Sequence, residues 1–268
     1  MLAAMRLLLA ILVLLVASAS ARADFEAGVA ALGSGDHGAA FRAFHAAAEA
    51  GEARAQYNLA LLYVYGQGVD QDDAMAIRWW REAAGQGHAP AQNNLAIMYA
   101  LGQGVARDDV AAAKWYRAAA VQGHADAQYN LATMYARGLG VERDSVAAAA
   151  WHLKAALQGL AKAQNNIAIA FERGRGVPRD PVRALAWYQL AAEAGAGGTA
   201  PGSARRSARR SDWRPGAWSR NGSAANRRFE LSLPGRPGFE TIVRIRTDRT
   251  GGKQRCGAWS FWASASSS

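Results

Sequence analysis

The chain has 268 residues, 51% of them hydrophobic and 19% charged. That is apolar enough for a core, which excludes disorder over the full length. The single cysteine, Cys256, excludes an intramolecular disulfide framework and a zinc site built from cysteines. The formal net charge of +10 points first to an anionic partner. Its location changes that reading: residues 197–268 hold 14 Lys/Arg against 4 Asp/Glu, whereas residues 1–196 hold 17 of each. The basicity belongs to the last quarter of the chain, and the two parts call for separate readings.

In chain order, Met1 to Arg6 is a short segment with one positive charge. Leu7 to Val16 is an apolar run, and Ala17 to Ala23 is small and mildly polar, ending in Ala21-Arg22-Ala23. This is the layout of a secretory signal peptide with an A-x-A cleavage site. The apolar run is shorter than the roughly 20 residues that span a bilayer. The expectation is cleavage near Ala23 and an exported protein, periplasmic or secreted, beginning at Asp24. Residues 24–50 read as an N-terminal capping half-repeat, with Phe25 to Leu32 as a short first helix and Ala39 to Ala50 as a second.

From residue 51 the sequence repeats every 36 residues. Gln56, Gln92, Gln128 and Gln164 keep this spacing, as do Leu59, Leu95, Leu131 and Ile167. Tyr63, Tyr99, Tyr135 and Phe171 do so too, and so do Trp79, Trp115, Trp151 and Trp187. Four units follow: 51–86, 87–122, 123–158 and 159–194. Each reads as two helices. In the first unit, Ala55, Leu59 and Tyr63 form the apolar stripe of helix A. Gly66 stands where a C-cap glycine belongs, Gly66-Gln67-Gly68 turns the chain, and Asp72 or Asp73 caps helix B. Helix B carries Ala76, Trp79 and Ala83. Alanines recur at 60, 96, 132 and 168 and at 76, 112, 148 and 184, where small side chains let helices approach closely. One unit cannot bury both of its faces, but stacked units can. The fold class expected is therefore all-α, a right-handed α-solenoid of helix-turn-helix repeats, followed by a basic tail over residues 196–268.

The pattern A-x-A-Q-x-x-L-A-x-x-Y-x-x-G-x-G-V followed by D-x-x-x-A-x-x-W-Y-x-x-A-A-x-Q-G resembles the Sel-one-like repeat, a branch of the tetratricopeptide-like solenoids. Ala89 to Ala96 and Trp115 to Gly123 carry the likeness most fully. The resemblance covers about residues 36–195. It implies a right-handed superhelix acting as a scaffold for protein partners, and exported bacterial members are often envelope adaptors or regulators. Members with a cysteine pair in each repeat are associated with β-lactam binding or hydrolysis; here Cys256 lies outside the repeats, so that branch is a poor match.

One stripe of helix A varies where the core stripe repeats. Its sets are Arg54, Pro90, Asp126 and Lys162; then Tyr57, Asn93, Tyr129 and Asn165; then Leu61, Ile97, Thr133 and Ile169; and last Tyr65, Leu101, Arg137 and Arg173. By analogy with tetratricopeptide folds this stripe lines the concave face, where it would read an extended or helical peptide of a partner. The bland alternative is an ordinary solvated groove. Asn58, Asn94, Asn130 and Asn166 form a second row, of a residue that is poor in helix interiors. These amides either tie each helix to a neighbouring link or bond a peptide backbone.

No catalytic set is legible. The histidines His88 and His124 are repeat-equivalent, and stacking would hold them about 10 Å apart, too far to share a metal. No cofactor, metal or nucleic acid is expected. The reading is a protein-binding, non-catalytic scaffold, with a cell-wall or β-lactam-acting envelope hydrolase as the alternative. In the tail, Arg205-Arg206-Ser207-Ala208-Arg209-Arg210 and Trp213, Trp218, Trp259 and Trp262 stand among Ser and Gly. Phe229 to Leu233 and Thr241 to Ile245 read as short strands in a largely disordered segment. Three readings stand: a binder of a membrane surface or anionic polymer, a passive extension, or an out-of-frame translation that cut short a longer array.

Overall fold

The computed structural model describes residues 2–195, 226–234, 240–250 and 253–262, with side chains described for Met5, Arg6 and 19–195. Within these the chain forms ten helices and three strands. The helices are α1 (Leu2–Ser34), α2 (His37–Glu49), α3 (Ala53–Tyr65), α4 (Asp73–Gly85), α5 (Ala89–Leu101), α6 (Asp109–Val121), α7 (Ala125–Arg137), α8 (Ser145–Leu157), α9 (Ala161–Arg173) and α10 (Pro181–Glu193). The strands are β1 (Asn226–Pro234), β2 (Glu240–Thr250) and β3 (Lys253–Trp262). From α3 onward, A and B helices alternate in consecutive repeats, the all-α helix-turn-helix solenoid expected from the period. Residues 1–143 and 144–268 form two compact units.

Each helix has local causes. The B helices start at Asp36, Asp72, Asp108, Asp144 and Asp180, whose carboxylates accept from the backbone N–H two or three residues on. A carboxylate there satisfies an orphan donor and complements the helix dipole. Of the two candidates at the start of α4, it is Asp72 that caps, through Met75 N at 2.9 Å. The A helices end on glycines in the left-handed region, Gly66, Gly102, Gly138 and Gly174. The second glycine of each link has a further duty. At Gly104 (φ +66°) an added Cβ would lie 2.7 Å from Asp73 Cβ, so the link runs hard against the start of the preceding B helix.

In the first unit the core is built from Leu59, Leu95 and Leu131, with Ala60, Ala96 and Ala132 at zero exposure beside them. Trp79 and Trp80 are buried, and the Trp79 ring lies 6.0 Å from His45 on α2. In the second unit Ile167, Ala168, Ala184 and Trp187 play the corresponding parts. Burial of such side chains contributes about 1.5–3 kcal/mol each for the large ones.

Two features differ from the sequence reading. The segment expected as a short helix from Phe25 is instead the end of the continuous 33-residue α1. Nothing near Asp24 breaks a helix, and Gly28 is accommodated because the Phe44 ring occupies the place of its missing side chain, 2.6 Å from where a Cβ would be. The expected signal peptide is thus helical from Leu2, and most of its side chains lie outside the described residues. No helix among the described residues is long and apolar enough to cross a membrane. The second difference is in the tail. The two expected strands lie within β1 and β2, and β3 adds a third, giving an antiparallel β1-β2-β3 meander. Thr250 pairs with Lys253, so only Gly251-Gly252 joins β2 to β3, a composition suited to a two-residue hairpin loop. The arginine doublets at 205–210, with Trp213 and Trp218, lie outside the described residues.

Candidate functional site

The variable stripe of helix A grows more exposed from the N-terminal to the C-terminal end of each helix. In the first unit, Arg54 is exposed but engaged. Its Nε donates to Glu52 Oε1 at 2.9 Å, and its guanidinium lies 4.2 Å from the centre of the Phe25 ring. Asp126 sits half-buried in the first turn of α7. One turn on, Tyr57 is half-buried, its ring 5.0 Å from that of His88. Burial pushes the Tyr57 phenol up, opposed by its hydrogen bond with Asn94. Asn93, expected on the partner face, is buried and donates to Asn94 Oδ1 at 3.3 Å. Tyr129, Leu61, Ile97 and Thr133 are half-buried, and the Thr133 hydroxyl donates back to Tyr129 O at 3.0 Å.

The last turn is different. Tyr65 and Leu101 are each 67% exposed at equivalent positions of adjacent repeats, and Arg137 is exposed at the next. Two apolar side chains and a cation therefore end three successive A helices. In the second unit Lys162 and Arg173 are exposed, and Asn165 and Ile169 are half-buried.

Where its partners are visible, the asparagine row bonds side chains of the protein rather than its links. Asn94 bonds Tyr57 and Asn93, and Asn166 Nδ2 lies 3.3 Å from His152 Nε2. The bonds to Tyr57 and His152 tie neighbouring helices, and the bond to Asn93 lies within α5. Asn58 and Asn130 are half-buried. The amides that bind one repeat to the next are instead the glutamines, which the sequence showed only as markers of the period. Gln56, Gln92, Gln128 and Gln164 are all buried, and each donates to the carbonyl eight residues earlier at the end of the preceding B helix: Ala48, Ala84, Ala120 and Ala156, at 3.0–3.3 Å. The constant separation of eight was the signal available in the sequence.

The histidines serve structure. His88 and His124 accept from Ala91 N and Ala127 N at 3.3 Å, capping α5 and α7 through Nδ1. Only the neutral ring can accept there, and a cation would oppose the helix dipole. Both are held below the usual histidine range, first by burial. His152 is 6% exposed, and burial lowers it to about 4.

A family model for the Sel1 repeat matches residues 53–88, 89–124, 125–160 and 161–195. Among solved structures, c5321, described as a protective antigen of uropathogenic Escherichia coli strains with an SLR fold, is 39% identical with a TM-score of 0.63. The match covers 65% of this chain and 38% of that one. A Sel1 repeat protein from Oxalobacter formigenes is 34% identical with a TM-score of 0.56, covering 59% of this chain and 63% of that one. The chain thus spans less than two thirds of the length of either. No curated protein matches.

Proposed function

Because the chain belongs to the Sel1 repeat family, whose members are typically non-catalytic scaffolds for protein partners, we propose that it is an exported adaptor that docks a partner on the exposed ends of its A helices. The observation that carries this reading is the adjacent placement of Tyr65, Leu101 and Arg137. Most large apolar side chains of the repeats are buried, whereas Tyr65 and Leu101 stand in water at equivalent sites. A partner segment with an apolar anchor and an acidic group would bury the first two and pair with the third. Export rests on the charged start, apolar run and A-x-A ending of residues 1–23.

The test is crosslinked capture from envelope extract with the full chain and with a triple variant, Tyr65→Ala, Leu101→Ala, Arg137→Glu. All three side chains are exposed, so the fold is expected to survive. A protein retained by the parent and lost by the variant supports the reading; equal capture by both overturns it. Export is tested separately by N-terminal sequencing of native material. Asp24 as the first residue supports it, and retained Met1 overturns cleavage.

A further inference from the structure

The end of α10 carries the same joint that closes every earlier repeat, but no A helix follows it among the described residues. At the end of each earlier B helix the alanine carbonyl accepts two bonds. One comes from the glycine three residues on: Gly51, Gly87, Gly123 and Gly159 donate to Ala48, Ala84, Ala120 and Ala156 at 3.0–3.1 Å. The other comes from the glutamine amide of the following A helix. The four alanines are at most 2% exposed, because that helix covers them. At the fifth joint Gly195 N donates to Ala192 O at 3.2 Å, but Ala192 is exposed. Eight residues on, position 200 is Ala rather than Gln, and no glutamine follows until Gln254.

A second acceptor stands close by. Gln86 and Gln122, at the ends of their B helices, donate to Gln56 and Gln92 Oε1 at 2.8 Å. The corresponding donor for Gln164 would be residue 194, which is Ala. Gln164 is 3% exposed, and its Oε1 has no partner among the described residues. A buried acceptor without a donor is costly. Among the described residues the end of α10 therefore combines a small-residue surface with a carbonyl that lacks its second donor, whereas the Gln164 oxygen lacks a donor from its own B helix rather than from a following A helix.

The geometry points to this end as a docking face for the first helix of a Sel1-type repeat on another polypeptide, one that brings A-x-A-Q. The same interface occurs four times within the chain, so the shape and chemistry of the occupant are known. A second copy of this chain is a poor supplier, since its four glutamines of this kind are already spent on their own preceding helices. The face uses none of Tyr65, Leu101 and Arg137, and the inference does not rest on the docking proposed there.

The probe is a fluorescent peptide of residues 159–173, held helical by a staple across positions 165 and 169, on the stripe that faces away from the preceding helix. It is titrated against the full chain by anisotropy. Saturable binding is expected, weakened at least about tenfold by Ala192→Trp, which fills the face, and several-fold by replacing the peptide's glutamine with leucine. Ala192 is exposed, so the variant should keep the parent's circular dichroism and melting. The Arg137→Glu chain should bind the probe like the parent, which separates this face from the helix-A face. Absence of binding at about millimolar peptide, or binding indifferent to Ala192→Trp, overturns the inference. So does self-association of the chain that Ala192→Trp abolishes, because the occupant would then be a second copy. Crosslinks from the tail to α10 within a monomer would assign the face to the chain itself, with the same consequence.

Discussion

Acidification should loosen the second unit through one residue, His152. It occupies the B-helix position held by Trp80, Tyr116 and Tyr188 in the other repeats, and it is 6% exposed against Asn166. Burial holds its pKa at about 4, against 6.5 for the unperturbed ring. A base whose folded pKa is lowered binds its proton more readily when unfolded, so its contribution is intact above pH 6.5 and is lost as pH falls toward 4. Between pH 7.5 and pH 4.5 the linkage amounts to about 2.5 kcal/mol, out of roughly 3.4 kcal/mol for the full 2.5-unit shift. The capping histidines of the first unit, also held low by burial, respond to acid too, so the comparison must be with His152→Tyr, the residue the next repeat carries. Hydrogen exchange of peptides from α8 and α9, corrected for the intrinsic pH dependence, reads the unit directly. The parent should lose about 2–3 kcal/mol more protection than the variant on acidification. Equal losses in the two proteins would refute the assignment.

Three further outcomes follow from the geometry. Ala194→Gln supplies the donor missing from Gln164 Oε1 and should raise urea stability by about 0.5–1 kcal/mol, the gain from pairing a buried acceptor less the cost of ordering the new side chain; an unchanged midpoint would show that the oxygen is satisfied by other means. Gly104→Ala must place a methyl group 2.7 Å from Asp73 Cβ on a backbone at φ +66°, and should cost more than about 2 kcal/mol, read as a fall in melting temperature. Tyr65→Ala with Leu101→Ala should leave stability within about 0.5 kcal/mol, because both are exposed, while reducing partner capture; a large loss of stability would mean that these side chains serve the fold.

The period, the caps and the turns were legible because their causes are local. An aspartate three residues before a helical N–H, a glycine in the left-handed region and an alanine at a crossing point each leave a mark at fixed spacing. The glutamine joints were not read because the bond crosses from one helix to the next, and its meaning appears only when Gln56 is seen beneath Ala48. Asn93 was misplaced for a related reason. It shares a position with Tyr57, Tyr129 and Asn165, all half-buried, but is itself buried and bonded to Asn94 on its own helix. The continuous α1 was split because export signals and repeats were read as separate segments, although no residue between them stops a helix.

The informative positions are the exceptions to the period. Where the equivalent positions carry the aromatic Trp80, Tyr116 and Tyr188, His152 introduces a titratable group. Where Gln86 and Gln122 close a hydrogen bond, Ala194 leaves an oxygen open. Where Tyr65 and Leu101 offer apolar surface, Arg137 offers charge. A repeat fold tolerates such changes because each unit depends mainly on its neighbours. A substitution that would weaken a single-core domain throughout here alters one joint or one turn of one face. The scaffold is specified by what recurs, and on the function proposed above a partner is read by what does not. If His152, Ala194 and Arg137 were each changed to the residue of the preceding repeat, the chain should become more stable, less sensitive to acid and poorer at capturing its partner, and each change should act almost independently of the others.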